Sequence, residues 1–508
     1  MEVASRTKKS IDNVTMAVLN KGIAILTAFL NRTVFIYFMG EVFLGLNSLF
    51  TTILTVLSLS ELGISSAITF HMYRPIREQN FKRLEEIVGL YRRAYRIIGL
   101  IMFGLGVGLI PLLPILVNYE TDTGINIPLI FVLTLLRTVL SYLFCGYVQA
   151  VIEANQEQKV ISLYNSIASI LTTVAITLGL WLTHDYYIYL SILILSEIIK
   201  NIFLFIYSNK HYKYIACSKG ISVSKELKRT IFEDIKSVFI FKITYTVGQS
   251  VDNIVISVLL GTVMVGYYGN YILLTTYIMT TITLIINSLG GSIGNLNAEN
   301  DKKKLVKVFY EIDLLVFWLM SVATVCLFQL LNPFINLWLH EEKYILGSSV
   351  VLLICANNFV DLSLNAVYTF RTSLGLFKYG RYNSFFSGVS NLILSFVFGS
   401  RWGIEGILIA TLISNFLLNT FIYPYYLFKK GFNISPIKYF IEMFEKYMLV
   451  IFMCIVSNYF CSFINDDNII FLIFQGIVCC ITVTIIIIFV YFKSERFKGL
   501  IRRISIRK

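Results

Sequence analysis

The sequence predicts an all-α polytopic membrane protein. It would have two parallel-repeat six-helix lobes plus two C-terminal helices, making 14 transmembrane helices with both termini inside (N-in/C-in). Three observations lead there. The 508-residue chain is 56% hydrophobic, 15% aromatic and only 14% charged. Its cations gather on one of the two sides that alternating apolar spans define. Its first half also resembles its second at a shift of 221 residues.

Composition sets the class. A soluble domain carries about 25% charged residues, and a soluble chain of this length must cover a large surface with polar groups. The 14% found here excludes an ordinary cytosolic enzyme, and the high hydrophobicity excludes a disordered chain. The apolar runs reach about twenty residues or more, enough to cross ~30 Å of hydrocarbon. Fourteen such runs lie near 12–38, 43–70, 95–118, 127–150, 160–182, 187–208, 235–260, 263–295, 308–331, 347–370, 382–400, 404–428, 447–464 and 469–492. The first is too long for a signal peptide and is read as a retained span. The 263–295 run is long for one crossing and is expected to kink at Gly290-Gly291.

Charge then sets the topology. With the N-terminus inside, 36 of the 43 Lys and Arg residues fall in inward segments, five fall within spans, and only Lys343 and Arg401 fall outside. Such a bias over short loops is the positive-inside pattern. It accounts for the net charge of +13 without a nucleic-acid partner. The expected location is therefore a membrane that the chain crosses many times. No loop is long enough to hold a catalytic domain, so an enzyme is not expected.

The repeat sets the architecture. At the 221-residue shift Lys21 meets Lys242, Asn31 meets Asp252, Arg32 meets Asn253, and Gly40-x-Val42-x-x-Gly45 meets Gly261-x-Val263-x-x-Gly266. Ser196, Asn201 and Phe203 meet Ser414, Asn419 and Phe421 at a shift of 218. Six spans per half is an even number, so the halves share one orientation, as in parallel-repeat secondary transporters. The expected organisation is 1–210 as an N-lobe (spans 1–6), 211–430 as a C-lobe (spans 7–12), and 431–508 as spans 13–14 with a basic tail. Such a fold puts a substrate site near the midplane.

Ionisable residues inside the spans point to that site. Each costs about 2.5–3.5 kcal/mol at a span centre, so they are expected to face a cavity, a partner or the interface. In the first span Ala17, Lys21, Ala24, Ala28 and Arg32 share one helix face. In the seventh, Lys242, Tyr245, Gln249 and Asn253 do the same, with Asp252 beside them. The expected site is a cationic, water-filled cavity lined by Lys21, Arg32, Arg137 and Lys242, with Asn31, Tyr245, Gln249 and Asn253 as its polar lining. Guanidinium and ammonium groups suit an anionic, phosphate-bearing substrate. Two readings stay open for the lysines, since Lys21, Lys200 and Lys242 can instead snorkel to the interface. Two also stay open for Glu61, Asp252 and Asp361, which can couple transport to H+ or Na+ or simply neutralise cations, as Asp252 would with Arg32 and Glu61 with Arg137. Glu197 is read as the partner of Lys200, three residues on.

Other signals carry no chemistry. The eight cysteines form no CxxC and the four histidines lie far apart, so no metal site or other cofactor is expected. Gly104, Gly106 and Gly108 sit inside an apolar span and read as helix-packing residues, not a dinucleotide loop. Residues 80–93 and 494–508 are basic and amphipathic and are expected to lie on the anionic inner leaflet.

At this point the residues resemble a family. The segments "MGEVFLGLNSLF", "LSELGISSAITFHMYRPI", "LRTVLSYLFCGYVQAVIEANQEQKV", "QSVDNIVISVLLGTVMVGYYGNYILL" and "GIEGILIATLIS", in this order, are similar to bacterial polysaccharide repeat-unit flippases of the Wzx type. These belong to the multidrug/oligosaccharidyl-lipid/polysaccharide (MOP) exporter superfamily. The resemblance runs over nearly the whole chain and implies two six-helix lobes, two extra helices and alternating access. It implies a substrate too: an undecaprenyl-diphosphate-linked oligosaccharide moved from the inner to the outer leaflet for capsule or exopolysaccharide assembly. A lipid tail then wants a lateral opening. The implied partners are this lipid-linked oligosaccharide, membrane lipids, and a polymerase and glycosyltransferases of the same pathway. Rival readings are a cation-coupled multidrug exporter, a peptidoglycan-precursor flippase and, from another class, a membrane-embedded glycan polymerase or glycosyltransferase. The last would need a large outward loop, which the spacing does not provide.

Overall fold

A computed structural model describes residues 2–58, 64–118, 125–144, 146–217, 251–299, 301–376, 379–380, 382–464 and 468–505. Among them the regular structure is helical, with no strand. Nine helices are long and apolar enough to cross a membrane, or ten if the bent pair Ile127–Leu143 and Gly146–Ala154 forms one span. Two of the nine contain a break that only glycine tolerates well: Val18–Leu57 at Gly40 (φ 73°, ψ −170°) and Phe385–Phe432 at Gly403 (φ 63°, ψ −140°). The run near 263–295 is interrupted just before Gly290-Gly291, with one helix ending at Asn287 and the next starting at Gly290.

The chain forms two compact units, Met1–Gly266 and Tyr267–Lys508. The first holds α1 (Glu2–Leu57), α2 (Ile64–Arg77), α3 (Phe81–Leu109), α4 (Ile127–Phe144), α5 (Gly146–Ala154), α6 (Gln158–Thr183), α7 (Tyr186–His211), α8 (Lys213–Cys217) and α9 (Val251–Leu260). The start of α10 (Thr262–Asn287) belongs to it as well. Helix α1 packs on α6, α6 on α7, and α3 on α4.

The two GxVxxG turns meet in this unit. Gly40 and Gly261 both have positive φ, 73° and 94°. A methyl on Gly45 would sit 2.2 Å from the Thr262 carbonyl oxygen, and one on Gly266 would sit 2.9 Å from the Gly45 nitrogen. The chain therefore crosses itself in backbone contact at residues the 221-residue shift pairs, a crossing that only small residues permit. Of the three glycines in 104–108, Gly106 is the one in close packing, against the Leu135 side chain.

The basic amphipathic stretch 80–93 packs most of its apolar face into this unit. Leu84, Ile87, Val88 and Tyr91 are buried in the core of the unit with Tyr95, Leu135, Val139 and Tyr147, and only Phe81 is exposed. Its polar face is tied down too. Arg92 donates to the Ile215 carbonyl at 2.9 Å and lies 4.9 Å from the Tyr147 ring centre. Beside it, Glu157 accepts from the hydroxyls of Tyr207 (2.8 Å) and Tyr212 (2.6 Å). Burial, with the Glu157 carboxylate added, holds the Tyr212 hydroxyl well above the usual phenol range.

The second unit holds α11 (Gly290–Ala298), α12 (Lys302–Leu339), α13 (Ser348–Ser363), α14 (Asn365–Ser373), α15 (Asn383–Ser414), α16 (Thr420–Tyr426), α17 (Ile437–Cys461), α18 (Ile469–Tyr491) and α19 (Glu495–Ser505). The Phe309 ring is fully buried, with Phe370, Phe428, Phe432 and Tyr439 ring centres 5.1–5.7 Å away. Helix α19 also departs from its expected place on the leaflet. Phe497 and Leu500 are buried, and Arg496 makes a bidentate pair with Glu442 (2.7 and 2.8 Å) over the Tyr310 ring. Gly499 packs on the Glu311 carboxyl. In both stretches most of the described apolar face packs on protein, with Phe81 and Ile501 left exposed, a choice that an amphipathic pattern alone does not make.

Polar groups in α15 and the helix that follows pair with one another. Asn383, Ser387, Asn391 and Ser395 recur every four residues and are all buried. Across from them, beyond the Gly403 break, stand Thr411, Asn415 and Asn419, with 415–419 wound as a wider π-helical turn. Asn383 donates to the Asn419 side-chain oxygen (2.8 Å), Ser387 to that of Asn415 (3.3 Å), and Asn391 accepts from Ser395 (2.9 Å) and Thr411 (3.1 Å). Such a ladder satisfies groups that hydrocarbon would otherwise leave unpaired.

Candidate functional site

In the first unit, three helices bring ionisable residues together at the depth of the apolar spans. Arg32 extends from α1, where the guanidinium donates to the Gly266 carbonyl (3.0 Å) and the Ser48 hydroxyl (3.3 Å). Both acceptors are neutral, and these bonds orient the guanidinium. One turn beyond Ser48, Thr52 accepts from Asn253 at 2.8 Å. Arg32 and its repeat-shifted counterpart Asn253 therefore both bond to the same face of α1 beyond Gly40. Asn31 and Asn253 each keep a buried side-chain oxygen with no bonded partner.

Arg137 of α4 lies within electrostatic reach of two α7 side chains, Tyr189 and Glu197, and Arg32 reaches Tyr189 as well. Glu197 bonds Lys200 at 2.8 Å, the pairing its spacing predicts, and accepts from Asn201 at 3.3 Å. Arg137 and Lys200 thus lie near one carboxylate, Glu197, while Arg32 and Arg137 both lie near Tyr189. Lys21 lies on α1 next to Asn20, which accepts a bond from Ser166 at 2.9 Å; both Lys21 and Arg32 are half-buried. Asp252 is half-buried on α9. Glu61, Lys242, Tyr245 and Gln249 lie outside the described residues. Asp361 belongs to the second unit, on α13.

The sequence reading missed what the second unit carries. An apolar groove of about 820 Å³ opens between α12, α13, α17 and the helix after Gly403. Phe328, Leu352, Phe359, Phe416, Val450 and Ile455 line it, with Tyr447 and Asn458 as scattered polar groups. Below it Lys446 forms an ion pair with Asp313, both buried, beside Ser363 and Tyr447. Lys446 was counted among the inward loop cations, although it is sunk into α17. In a chain this apolar, a groove wall and a lipid-facing wall have the same composition. The i, i+3, i+4 pattern therefore gave no signal for the groove.

The fold has known counterparts. The chain is similar to a lipid II flippase MurJ in an inward closed conformation, at 14% identity and a TM-score of 0.63 over 95% of this chain and 99% of that one. It is also similar to an inward-facing multidrug resistance MATE family transporter of the MOP superfamily, at 12% identity and a TM-score of 0.61 over 78% and 93%. A third match is the eukaryotic MATE transporter AtDTX14, at 15% identity and a TM-score of 0.54 over 82% and 95%. No family model and no curated sequence matches the chain. At these identities the likeness shows a shared fold, that of MurJ and the MATE transporters.

Proposed function

We propose that this multi-pass membrane protein is a flippase. It would move undecaprenyl-diphosphate-linked oligosaccharide repeat units from the inner to the outer leaflet of a bacterial plasma membrane, for capsule or exopolysaccharide assembly, by alternating access. The observation that carries the reading is the Arg32 group. Arg32 and Arg137 both lie near Tyr189, and Arg137 and Lys200 lie near Glu197, at a depth where charge is expensive. A diphosphate is negatively charged and accepts bidentate bonds from arginine. Lys21 and Lys242 extend the basic lining, and Asn31, Tyr245, Gln249 and Asn253 offer hydrogen bonds to sugar.

The apolar groove supports the same reading, since it gives several isoprene units of a prenyl tail a dry surface. A drug exporter for cations would be served better by a carboxylate-rich site. Asp252 and Asp361 are the carboxylates to test for H+ or Na+ coupling; otherwise they serve as charge partners. Glycosyltransferases that build the repeat unit and a polymerase that consumes it are the expected pathway partners.

The test is Arg32→Ala with Arg32→Lys beside it. In cells, Arg32→Ala should stop surface polysaccharide and leave lipid-linked repeat units on the inner leaflet, with the protein inserted at normal levels. Arg32→Lys should retain partial export, because the charge stays while the fork is lost. Normal export by Arg32→Ala would remove the headgroup assignment. A second reading, transport of a peptidoglycan precursor, is favoured by the MurJ likeness, which spans nearly the whole chain. Depletion separates the two: lysis with precursor accumulation supports the second, and loss of surface glycan alone supports the first.

A further inference from the structure

A second hollow, which the headgroup reading does not use, lies in the first unit where α4 breaks from α5. The two helices meet at a 44° bend. Irregular backbone at membrane depth is tolerated where it lines a cavity, and transporter sites gather at such breaks. The cavity here measures about 200 Å³, and its walls are mostly polar. Thr138, Ser141 and Tyr142 reach it from α4, Gln149 and Glu153 from α5, and Tyr95 from α3. Two of these groups lack good partners. Glu153 is half-buried, and among the described residues its carboxylate meets only the Gln149 amide, at 3.4 Å, with no cation paired to it. The Ser141 hydroxyl, also half-buried, makes no hydrogen bond among the described residues. Such groups are costly at this depth unless something polar fills the hollow.

Charge, size and position narrow what that is. The lining bears a carboxylate and no cation, so it does not suit a phosphate. The space has room for several waters, whereas a bare metal ion draws its ligands in to about 2.0–2.6 Å. Hydroxyls, an amide, a carboxylate and phenol rings around a hollow of this size match a polyhydroxyl ring. Its O–H groups donate to Glu153, and its oxygens accept from Gln149 and Ser141. Ser141 also stands one turn, about 6 Å, from Arg137 on α4. A ring in the pocket and a phosphate at Arg137 can therefore belong to one molecule. We infer that this pocket is a sugar subsite, holding the pyranose ring bonded directly to the diphosphate, with Glu153 and Gln149 on neighbouring hydroxyls. The inference rests on the flippase reading and adds to it a preference for the glycosylated lipid over the bare one.

The test uses the full chain in detergent micelles, with binding read by native mass spectrometry. The probes are undecaprenyl diphosphate and the same lipid bearing one glucose, galactose or N-acetylglucosamine. At least one glycosylated lipid should bind the wild type about tenfold more tightly than the bare lipid. Glu153→Gln should cut that gain about tenfold and Ser141→Ala about threefold. Both should bind the bare lipid as the wild type does, which also shows that they are folded. Arg32→Ala should weaken every probe alike. Equal wild-type affinities for bare and glycosylated lipids overturn the inference, and so does an undiminished gain in both pocket variants. A Glu153-dependent gain that follows sodium with the bare lipid, instead of the sugar, overturns it in favour of a cation site. The headgroup reading fails differently: Arg32→Ala would then bind the bare lipid as the wild type does, whatever the sugar adds.

Discussion

The Lys446–Asp313 pair allows a prediction whose size follows from its surroundings. Lys446 is 7% exposed and Asp313 4%, and the ammonium lies 5.5 Å from the Phe317 ring centre. Tyr439, Met443 and Met320 close the space around them. Removing one partner strands the other charge, which costs about 3–5 kcal/mol at a buried site. Removing both and filling the space with apolar side chains is neutral or even stabilising. Lys446→Met and Asp313→Leu should therefore each lower thermal stability strongly, while the double variant should return to near the wild-type value. The assay is thermal unfolding of the detergent-solubilised protein, followed by fluorescence-detected size exclusion, with the four proteins forming a double-mutant cycle. The coupling energy should favour the double variant by about 3 kcal/mol or more. If the single losses simply add in the double variant, the pair is not the isolated buried couple described here.

Three further outcomes follow from particular contacts. Gly45→Ala should abolish folding or insertion, because its methyl would meet a backbone oxygen at 2.2 Å that no side-chain rotation can move; the measure is the monodisperse fraction after solubilisation. Asn391→Leu strips Ser395 and Thr411 of their shared acceptor; it should cost about 1–3 kcal/mol, seen as a lowered unfolding temperature. Glu157→Ala should free the Tyr207 and Tyr212 hydroxyls and loosen the end of α7, detected as faster limited tryptic cleavage at Lys210 and Lys213.

How legible was this in the sequence? Long apolar runs announced helices because every backbone group in hydrocarbon must bond within its own segment. The Gly40 and Gly261 turns were legible because a positive φ selects glycine so strongly. The Glu197–Lys200 pair was legible because three residues is a helical neighbour distance. What stayed hidden depends on which helices pack together. Phe497 and Leu500 look the same whether they face lipid or α12. Cys326 and Cys480 are 154 positions apart and meet only after folding. The Asn383–Ser395 period went unread, because its partners lie across a glycine break. Of the expected site, Arg32 and Arg137 reach one tyrosine, Tyr189. Spacing could not place them together, since α4 follows α1 by about a hundred residues.

Buried and half-buried cations are held in two ways, and the difference bears on what each can do. Lys446 is matched by Asp313 and Arg496 by Glu442, each pair joining helices of the second unit. Arg371, buried in the same unit, donates instead to the Tyr379 carbonyl and lies over the Tyr423 ring. Arg32 in the first unit likewise donates to a carbonyl and a hydroxyl. A carboxylate pair locks helix packing, because removing one partner strands the other charge. Carbonyl and hydroxyl acceptors set the direction of a guanidinium fork without themselves bringing charge. Under the proposed function it is this fixed direction, more than the amount of charge nearby, that would let Arg32 meet a diphosphate with two parallel bonds.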